Sequence, residues 1–428
     1  MMTTKEGPVK AVIVGAGHRS LLYASYAKMH PERLVITGVV DPDKVRQRHV
    51  AELYQIPSEH CFDTVEDLVS GTRIADAAIN GTMDAVHVET TLPLLQAGYD
   101  ILLEKPIGTS EEEVLELSHT ARSLGRKVMI CHVLRYAPFY VEIRKRIAAG
   151  DIGDILHIQT EENVSYHHMG MAYVRGKWGN KERGGSSMLM AKSCHDIDIV
   201  TWMMGGASPV KVGSFGGLKF FRPENAPEGS GTRCLQDCQI ESSCMYSARK
   251  HYIEQNLWQD YIWHSIEHIS LNPTLTQKLE SLRTDNPYGR CVWRCDNDVV
   301  DHQAVIVEFA GGATASHSMV GASSKASRTI HIIGTKGEIN GVMEEGCFVV
   351  RHPDARKGHK YSEEKVELEV TGDMHGGGDL LLVEDFVSVL KGEAPSISTT
   401  SLDVSINGHL IGFAADRARL EKRMVELQ

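Results

Sequence analysis

Two side chains of the types that proton chemistry needs lie far apart along the sequence. Lys105 ends the apolar run Ile101, Leu102, Leu103 in ILLEKPIGTS, held between Glu104 and Pro106. A core strand rarely delivers an ammonium unless a partner or a task waits for it. His195, in SMLMAKSCHDIDIVTWMMG, is the second group, and Lys192 precedes it by three residues. An ammonium and an imidazole at one carbon could handle the proton of a secondary hydroxyl while a hydride moves to a carrier. Partial burial beside a cationic carrier would depress the pKa of Lys105. If the segment is helical, Lys192 and His195 share a face. Lys192 would then act as an accessory ammonium or bind an anionic substrate, and two lysines would lower each other further. Bland alternatives remain for both groups. Lys105 could be a surface lysine paired with Glu104, and His195 could be a core histidine at helical spacing with Ile199 and Trp202.

Such groups need a scaffold, and the first third of the chain supplies one. Val9 to Val14 is a β-branched run that enters GAGHRS and then the helical pattern LLYASYAKMH; a second strand, LVITGVVD, ends on Asp41. This order is the βαβ unit that holds a dinucleotide. Gly15 permits the tight turn, Gly17 lets the backbone approach a pyrophosphate, and His18 and Arg19 open the helix. Asp41 could accept hydrogen bonds from a ribose diol and would repel a 2′-phosphate, favouring NAD over NADP; Arg46 and Arg48 soften that preference. Ser20 replaces the third glycine, so a plain strand-to-helix turn is the alternative. Further strands, ADAAINGT, DILLEKP and KVMICHVLRY, put Thr82, Lys105 and the segment 132–136 on the same carboxyl edge. Ser110 with Glu113 reads as a capping box for the helix between the last two. The cofactor set is therefore Gly15, Gly17, His18, Arg19, Asp41, Thr82, His87, Glu104, Lys105 and Arg135. Candidates for contact with a polyhydroxylated substrate are Lys105, His132, Tyr136, His168, Trp178, Lys192 and His195. His167, Tyr173 and Arg175 stand near the same wall, and His375, before a helix entry at Asp379, could reach it.

The segments VIVGAGHRS, AAINGTMDAVHVETTLPLLQAGYDILLEKPIGTS and SCHDIDIVTWMMGG together resemble the Gfo/Idh/MocA oxidoreductases. The resemblance is dense over residues 9 to 205 and thinner afterwards, where GTKGEI and the closing helices also fit. It implies an α/β chain: an N-terminal Rossmann dinucleotide-binding domain over 1–132, then a C-terminal α+β domain over 133–428 with a large open, mostly antiparallel sheet. It also implies an NAD(P) cofactor, a cis Lys-Pro peptide that turns the lysine toward the nicotinamide, and a homodimer or homotetramer built through the sheets. The family usually places an aspartate four residues before the histidine; here that residue is Ala191. The implied activity is hydride transfer between nicotinamide and a secondary hydroxyl of a sugar, sugar acid or cyclitol. The rival on the same fold is a glycosidase that oxidises C3 transiently, eliminates, adds water and reduces again. A non-catalytic NAD-sensing regulator is the third reading.

The bulk numbers set outer limits. The 428 residues suffice for two or three domains, and 45 basic against 56 acidic residues leave a net charge of -11. With no basic patch beyond Arg144 to Arg146, nucleic acid is not an expected partner. The N-terminus lacks a secretory pattern and no run reaches membrane-spanning length, so a cytoplasmic protein is expected. Five of the nine cysteines fall in an insertion over about 231–297: Cys234, Cys238, Cys244, Cys291 and Cys295. A structural zinc on Cys234, Cys238, Cys244 and Cys295 is one reading, reduced buried thiols another, and an iron–sulfur cluster or a disulfide the remainder.

Overall fold

The computed structural model describes residues 7–369 and 375–427. The start of the N-terminal stretch, 1–6, and residues 373 and 374 before His375 lie outside the described residues. Six strands form a parallel sheet: β1 Val9–Val14, β2 Leu34–Val40, β3 Cys61–Phe62, β4 Ala77–Asn80, β5 Asp100–Leu103 and β6 Val128–Ile130. Their order, β3-β2-β1-β4-β5-β6, is that of a doubly wound dinucleotide-binding sheet with its switch point between β1 and β4. The strands are short apolar runs buried on both faces, as a helix-covered parallel sheet requires. The helix Glu111–Ser123 between β5 and β6 starts as expected at Ser110, whose side chain accepts from the Glu113 amide at 3.2 Å. The box is only half made, because the Glu113 carboxylate turns to the Thr109 amide instead, at 2.6 Å.

The second sheet is assembled from β7 Ile155–Ser165, β8 Pro209–Gly217, β9 His302–Phe309, β10 Thr314–Ser323, β11 Ser327–Gly334, β12 Glu338–Val342, β13 Cys347–Pro353, β14 Tyr361–Glu367 and β15 Val425–Glu426. Its order is β14-β13-β12-β11-β7-β10-β9-β8-β15. Among the described residues every neighbouring pair is antiparallel except β7 with β10, so the sheet is mixed and mostly antiparallel. Alternation along β9 and β10 sends Val305, Val307, Ala315 and Met319 inward. There the helices Cys194–Met203 and Leu402–Glu421 cover the sheet through Ile197, Val200, Ile411 and Ala414. On the opposite face Phe215, Ile306, Val320 and Ile333 are exposed.

Two connections bind the layers into one body. The helix Gly378–Leu390 returns to the first sheet, where Leu382, Val383, Phe386 and Val387 pack on the side of Val9, Ala11 and Ile13. The insertion shares a core with the second domain, in which Tyr246, Tyr252, Trp263, Leu282 and Trp293 pack with Val164, Met169, Tyr173 and Met319. It then leans on the open edge of the first sheet, with Asp260 3.7 Å from His18 and Glu267 3.0 Å from Arg46. Among the described residues no helix is long and apolar enough to cross a membrane.

Candidate functional site

The glycine turn is shaped for a group that must approach the backbone. Gly15 has φ +79, and a Cβ there would lie 2.9 Å from the Thr82 nitrogen, so neither the conformation nor the space admits a side chain. A Cβ on Gly17 would meet nothing within 4 Å, leaving open space over the turn. The Asp41 carboxylate locks this cradle by accepting from the Ala16 amide at 2.7 Å and the Asp43 amide at 2.8 Å. These residues fit a dinucleotide: an unobstructed glycine backbone beside a carboxylate at the end of the next strand.

Lys105 stands where β5 ends, and the peptide to Pro106 is cis, as the resemblance implied. Its Nζ donates to the Ala191 carbonyl at 2.8 Å, which draws the two halves of the site together. Behind it the Glu104 carboxylate accepts from Arg19 Nε at 2.9 Å and Tyr23 Oη at 2.6 Å. Burial pushes Glu104 up, but Arg19 and Lys105 prevail and hold its pKa down at about 2. Burial also works to lower Lys105, and the Cys194 sulfur, Glu104 and Asp84 outweigh it, leaving the ammonium above its ordinary range. Burial pushes the Cys194 thiol itself up to about 12, so at neutral pH it is uncharged and the carboxylates hold the lysine charged. The expected depression of Lys105 is therefore not found in the protein alone.

His195 opens the helix Cys194–Met203, whereas Lys192 closes the short helix Met188–Ala191. The helix breaks between them, so the expected shared face does not exist. Burial, then the charge of Lys105, pushes His195 well below the usual imidazole range, and it is a neutral ring. Lys192 Nζ is paired with Glu162 Oε1 at 2.9 Å. Glu162 Oε2 meets Arg328 Nε at 2.5 Å, and Arg328 reaches Asp196 Oδ1 at 3.1 Å. Burial lowers Lys192 and Arg328 adds to it, so the expected mutual effect of two lysines is exerted by an arginine. Asp196 is pushed up to about 7 by burial against the pull of Arg328. On the other side, the His375 ring lies 5.8 Å from that of His195, and its Nδ1 is 2.9 Å from Asp379, which also pairs with Arg19. His375 thus does reach the site.

An aromatic wall rises opposite. The His168 ring stacks 4.4 Å from Trp258, Tyr173 lies 5.7 Å from His168, and Trp178 lies 6.3 Å from Tyr261. Trp178 Nε1 points to the Asp84 carboxylate at 3.3 Å. Tyr261, from the insertion, is within the fields of Arg19, Glu104 and Lys105.

Several expected ligands are structural. Arg135 is 1% exposed and makes a two-pronged pair with Asp198, at 2.7 and 2.6 Å, so it braces the His195 helix and does not face a cofactor. Tyr136 donates to Asp385 at 2.7 Å inside the first core, away from any substrate. His87 sets its two ring nitrogens against the Pro106 and Thr82 carbonyls, at 2.6 and 3.2 Å, clamping the lysine turn to the Thr82 loop. Arg19 is spent on Glu104 and Asp379. His132 is buried behind His195, ring centroids 5.9 Å apart, with neither nitrogen hydrogen-bonded among the described residues. Arg175 is buried within the insertion rather than in the substrate wall. Among the described residues no three His, Cys, Asp or Glu side chains converge as a single metal ion requires. The expected zinc set fails at Cys295, whose sulfur turns to the Cys291 carbonyl at 3.2 Å. Sequence reasoning missed Glu162, Arg328, Asp196, Asp84 and Tyr261. Glu162 and Arg328 carried a signal, as charged residues in β-strands where alternation points inward.

A parallel dinucleotide sheet, an open glycine turn and a lysine facing a histidine define an NAD-binding oxidoreductase. The family models agree. "Oxidoreductase family, NAD-binding Rossmann fold" matches residues 9–132, and the family's "C-terminal alpha/beta domain" matches 144–407. The chain belongs to this GFO_IDH_MocA oxidoreductase family. The Bacillus subtilis (strain 168) protein named "Putative oxidoreductase YteT" is 26% identical over 392 residues, 87% of each chain. Inositol 2-dehydrogenase of Corynebacterium glutamicum (strain ATCC 13032) is 26% identical over 202 residues, 46% of this chain and 53% of that protein. Among solved structures, a levoglucosan dehydrogenase in complex with NADH and levoglucosan superposes with TM-score 0.70 at 16% identity, covering 98% of this chain and 99% of its own.

Proposed function

We propose that the protein is an NAD-dependent dehydrogenase acting on a secondary hydroxyl of a sugar, sugar acid or cyclitol. One observation carries the reading: Lys105 is biased toward its charged form and His195 toward its neutral form, side by side on the Ala191 edge. Bound NAD supplies the acceptor for the hydride. The neutral His195 imidazole takes the hydroxyl proton, and the Lys105 ammonium stabilises the negative charge that grows on that oxygen. Glu104 and Asp84 hold the ammonium charged, and Lys192 with Arg328 offers positive charge to an acidic substituent. The wall of His168, Tyr173, Trp178 and Trp258 supplies apolar faces for a sugar ring and excludes water. NAD is preferred over NADP, because Asp41 ends β2 with a carboxylate and Arg46 is taken up by Glu267. Relatives named for inositol and levoglucosan support the substrate class. Self-association through the exposed outer face of the second sheet is part of the same proposal.

The glycosidase cycle is the second reading, and the insertion favours it. Asp260 and Glu267 clasp His18 and Arg46 on the cofactor edge, an arrangement suited to a dinucleotide that stays bound while hydride leaves and returns. Purified protein is mixed with NAD⁺ and a panel of sugars, sugar acids and cyclitols, and NADH absorbance is followed; aryl glycosides are tested alongside. Net NADH supports the dehydrogenase. Cleavage without net NADH supports the glycosidase. Lys105→Ala abolishes turnover and keeps NAD⁺ affinity within a few-fold by calorimetry, whereas retained turnover refutes the role given to Lys105.

A further inference from the structure

The glycine-rich turn HGGGD, residues 375–379, does more than start a helix. Gly376 and Gly377 have φ +63 and +85, a backbone that side chains rarely tolerate, and a Cβ on Gly378 would lie 2.2 Å from the Val133 carbonyl oxygen. The chain doubles back tightly enough for the Gly378 amide to meet the His375 carbonyl at 3.3 Å. Across this turn His375 Nδ1 lies 2.9 Å from Asp379 Oδ2. The other carboxylate oxygen of Asp379 pairs with Arg19. Burial pushes Asp379 up, but His375 and Arg19 outweigh it and hold the carboxyl below its ordinary range. An ionised carboxylate only accepts, so Nδ1 carries the hydrogen and Nε2 is the acceptor of the neutral ring.

His195 has no such carboxylate among the described residues. Its Nδ1 is buried without a hydrogen bond, and Ala191 brings only a backbone carbonyl, which Lys105 takes. Burial and the charge of Lys105 hold the His195 ring well below the usual imidazole range, whereas at His375 Asp379 offsets part of the same burial. His375 is thus the more basic ring. It is also the nearer to solvent: its side chain is 18% exposed, while His195 is buried. The groups that face it are Asp379 on its own helix, Arg19 from the helix His18–Ala24, Arg328 from β11, His195 from the helix Cys194–Met203 and His168 after β7. Of these, Asp379 is the anion. The rings of His195 and His375 lie 5.8 Å apart at 48°, a gap that one water spans.

Given the hydroxyl oxidation proposed above, on which this rests, we propose that His375, oriented by Asp379, takes the proton from His195 and returns it to solvent. As the carbon–hydrogen bond breaks and the hydride leaves with both electrons, the oxygen–hydrogen bond breaks and its proton goes to His195. The resulting imidazolium gives up one proton, and His375 Nε2 accepts it. Asp379 stabilises the charged ring until Nε2 releases the proton to water. Both rings end neutral, one proton is set free in each turnover, and nothing is consumed. The resemblance implied a carboxylate beside the histidine at 191; His375 with Asp379 supplies a carboxylate–imidazole unit from another element.

The test uses the full chain with isotope-labelled histidine, its ring signals assigned by their loss in His375→Ala and His195→Gln. His375 is expected as the Nδ1–H tautomer and to protonate before His195 as pH falls, and Asp379→Asn should bring the two closer. The opposite tautomer, or earlier protonation of His195, overturns the proposal with or without a known substrate. In NADH formation, His375→Ala should lose about 100-fold in kcat with KM little changed. Added imidazole should restore much of that loss, because a free base can fill the space and carry the proton. Wild-type kcat in His375→Ala overturns the relay, and so does a slow variant that imidazole leaves slow, which marks a structural clasp. No NADH from the wild type with any sugar refutes the dehydrogenase alone, and the ring spectra then decide the relay.

Discussion

Replacing Glu104 with glutamine tests whether the charge cluster behind Lys105 is as tightly coupled as its geometry indicates. Glu104 is 6% exposed, accepts from Arg19, Tyr23 and its neighbour's amide, and has its pKa held down at about 2 from an ordinary 4.5. Each pKa unit is worth about 1.4 kcal/mol, so ionisation of this one group contributes about 3 kcal/mol to folding at neutral pH. The folded pKa is depressed. The contribution is therefore complete above pH 4.5 and disappears as pH falls toward 2. Urea unfolding of wild type and Glu104→Gln, followed by tryptophan fluorescence at a series of pH values, reads this directly. The wild type should exceed the variant by about 3 kcal/mol at pH 7, and the gap should narrow by about 1.4 kcal/mol per pH unit below 4.5. A gap under 1 kcal/mol at neutral pH, or one that does not close in acid, refutes the coupling of Glu104 to Arg19 and Lys105.

Other consequences follow from the same geometry. Because His195 is neutral well below pH 6.5, kcat/KM for hydroxyl oxidation should hold as pH falls through 6.5 and decline only in more acid solution. Asp196, at about 7, titrates nearby, and Asp196→Asn identifies its share; a limb at or above 6.5 in that variant removes His195 as the base. Asp198→Ala leaves the Arg135 guanidinium buried and unpaired and should destabilise the protein by about 3–5 kcal/mol in urea unfolding, whereas the Arg135→Met, Asp198→Leu pair should lose much less. Unchanged stability with weakened NAD⁺ affinity would instead return Arg135 to the cofactor. Phe215→Lys with Ile306→Lys should reduce the sedimenting mass to that of one chain, and an unaltered oligomer shows that the outer sheet face is not the contact.

What could be read from the sequence is what is encoded locally. A β-branched strand, a glycine turn and an amphipathic helix are each set by neighbours within a few residues, so the βαβ unit, Gly15, Gly17 and the position of Lys105 at a strand end were all legible. Partner choice across the chain was not. Arg135 and Tyr136 follow a strand end and His87 opens a helix beside one, as ligands would, but their partners are Asp198, Asp385 and the Pro106 carbonyl, two of which come from other layers. The break after Ala191 was hidden because the apolar pattern MLMA and IDIV runs on at helical spacing across it. The cysteines show the same limit. C-x3-C spacing cannot say which sulfurs gather, and it is the pairing of 232–234 with 289–291 that brings Cys291 rather than Cys295 toward Cys234, Cys238 and Cys244.

Ala191 shows how the site manages with no carboxylate at the position where the family resemblance implied an aspartate. Here only a backbone carbonyl meets the ammonium, and a carbonyl oxygen is a dipole rather than a charge. The negative charge comes from further away: Glu104 and Asp84 act on Lys105 from the first sheet, and Asp379 acts through His375 beside His195. Opposite, Glu162 is shared by Lys192 and Arg328, and Arg328 also meets Glu344 at 3.6 Å, so the side of the pocket near Lys192 sets two cations against two carboxylates and an aspartate poised near neutrality. An anionic substituent arriving there would meet the Lys192 ammonium and favour the protonated form of Asp196. A neutral sugar would find no such gain. Comparing KM for a uronate and its parent sugar in wild type and Lys192→Met therefore separates the two, since the uronate alone should lose affinity when the ammonium is removed.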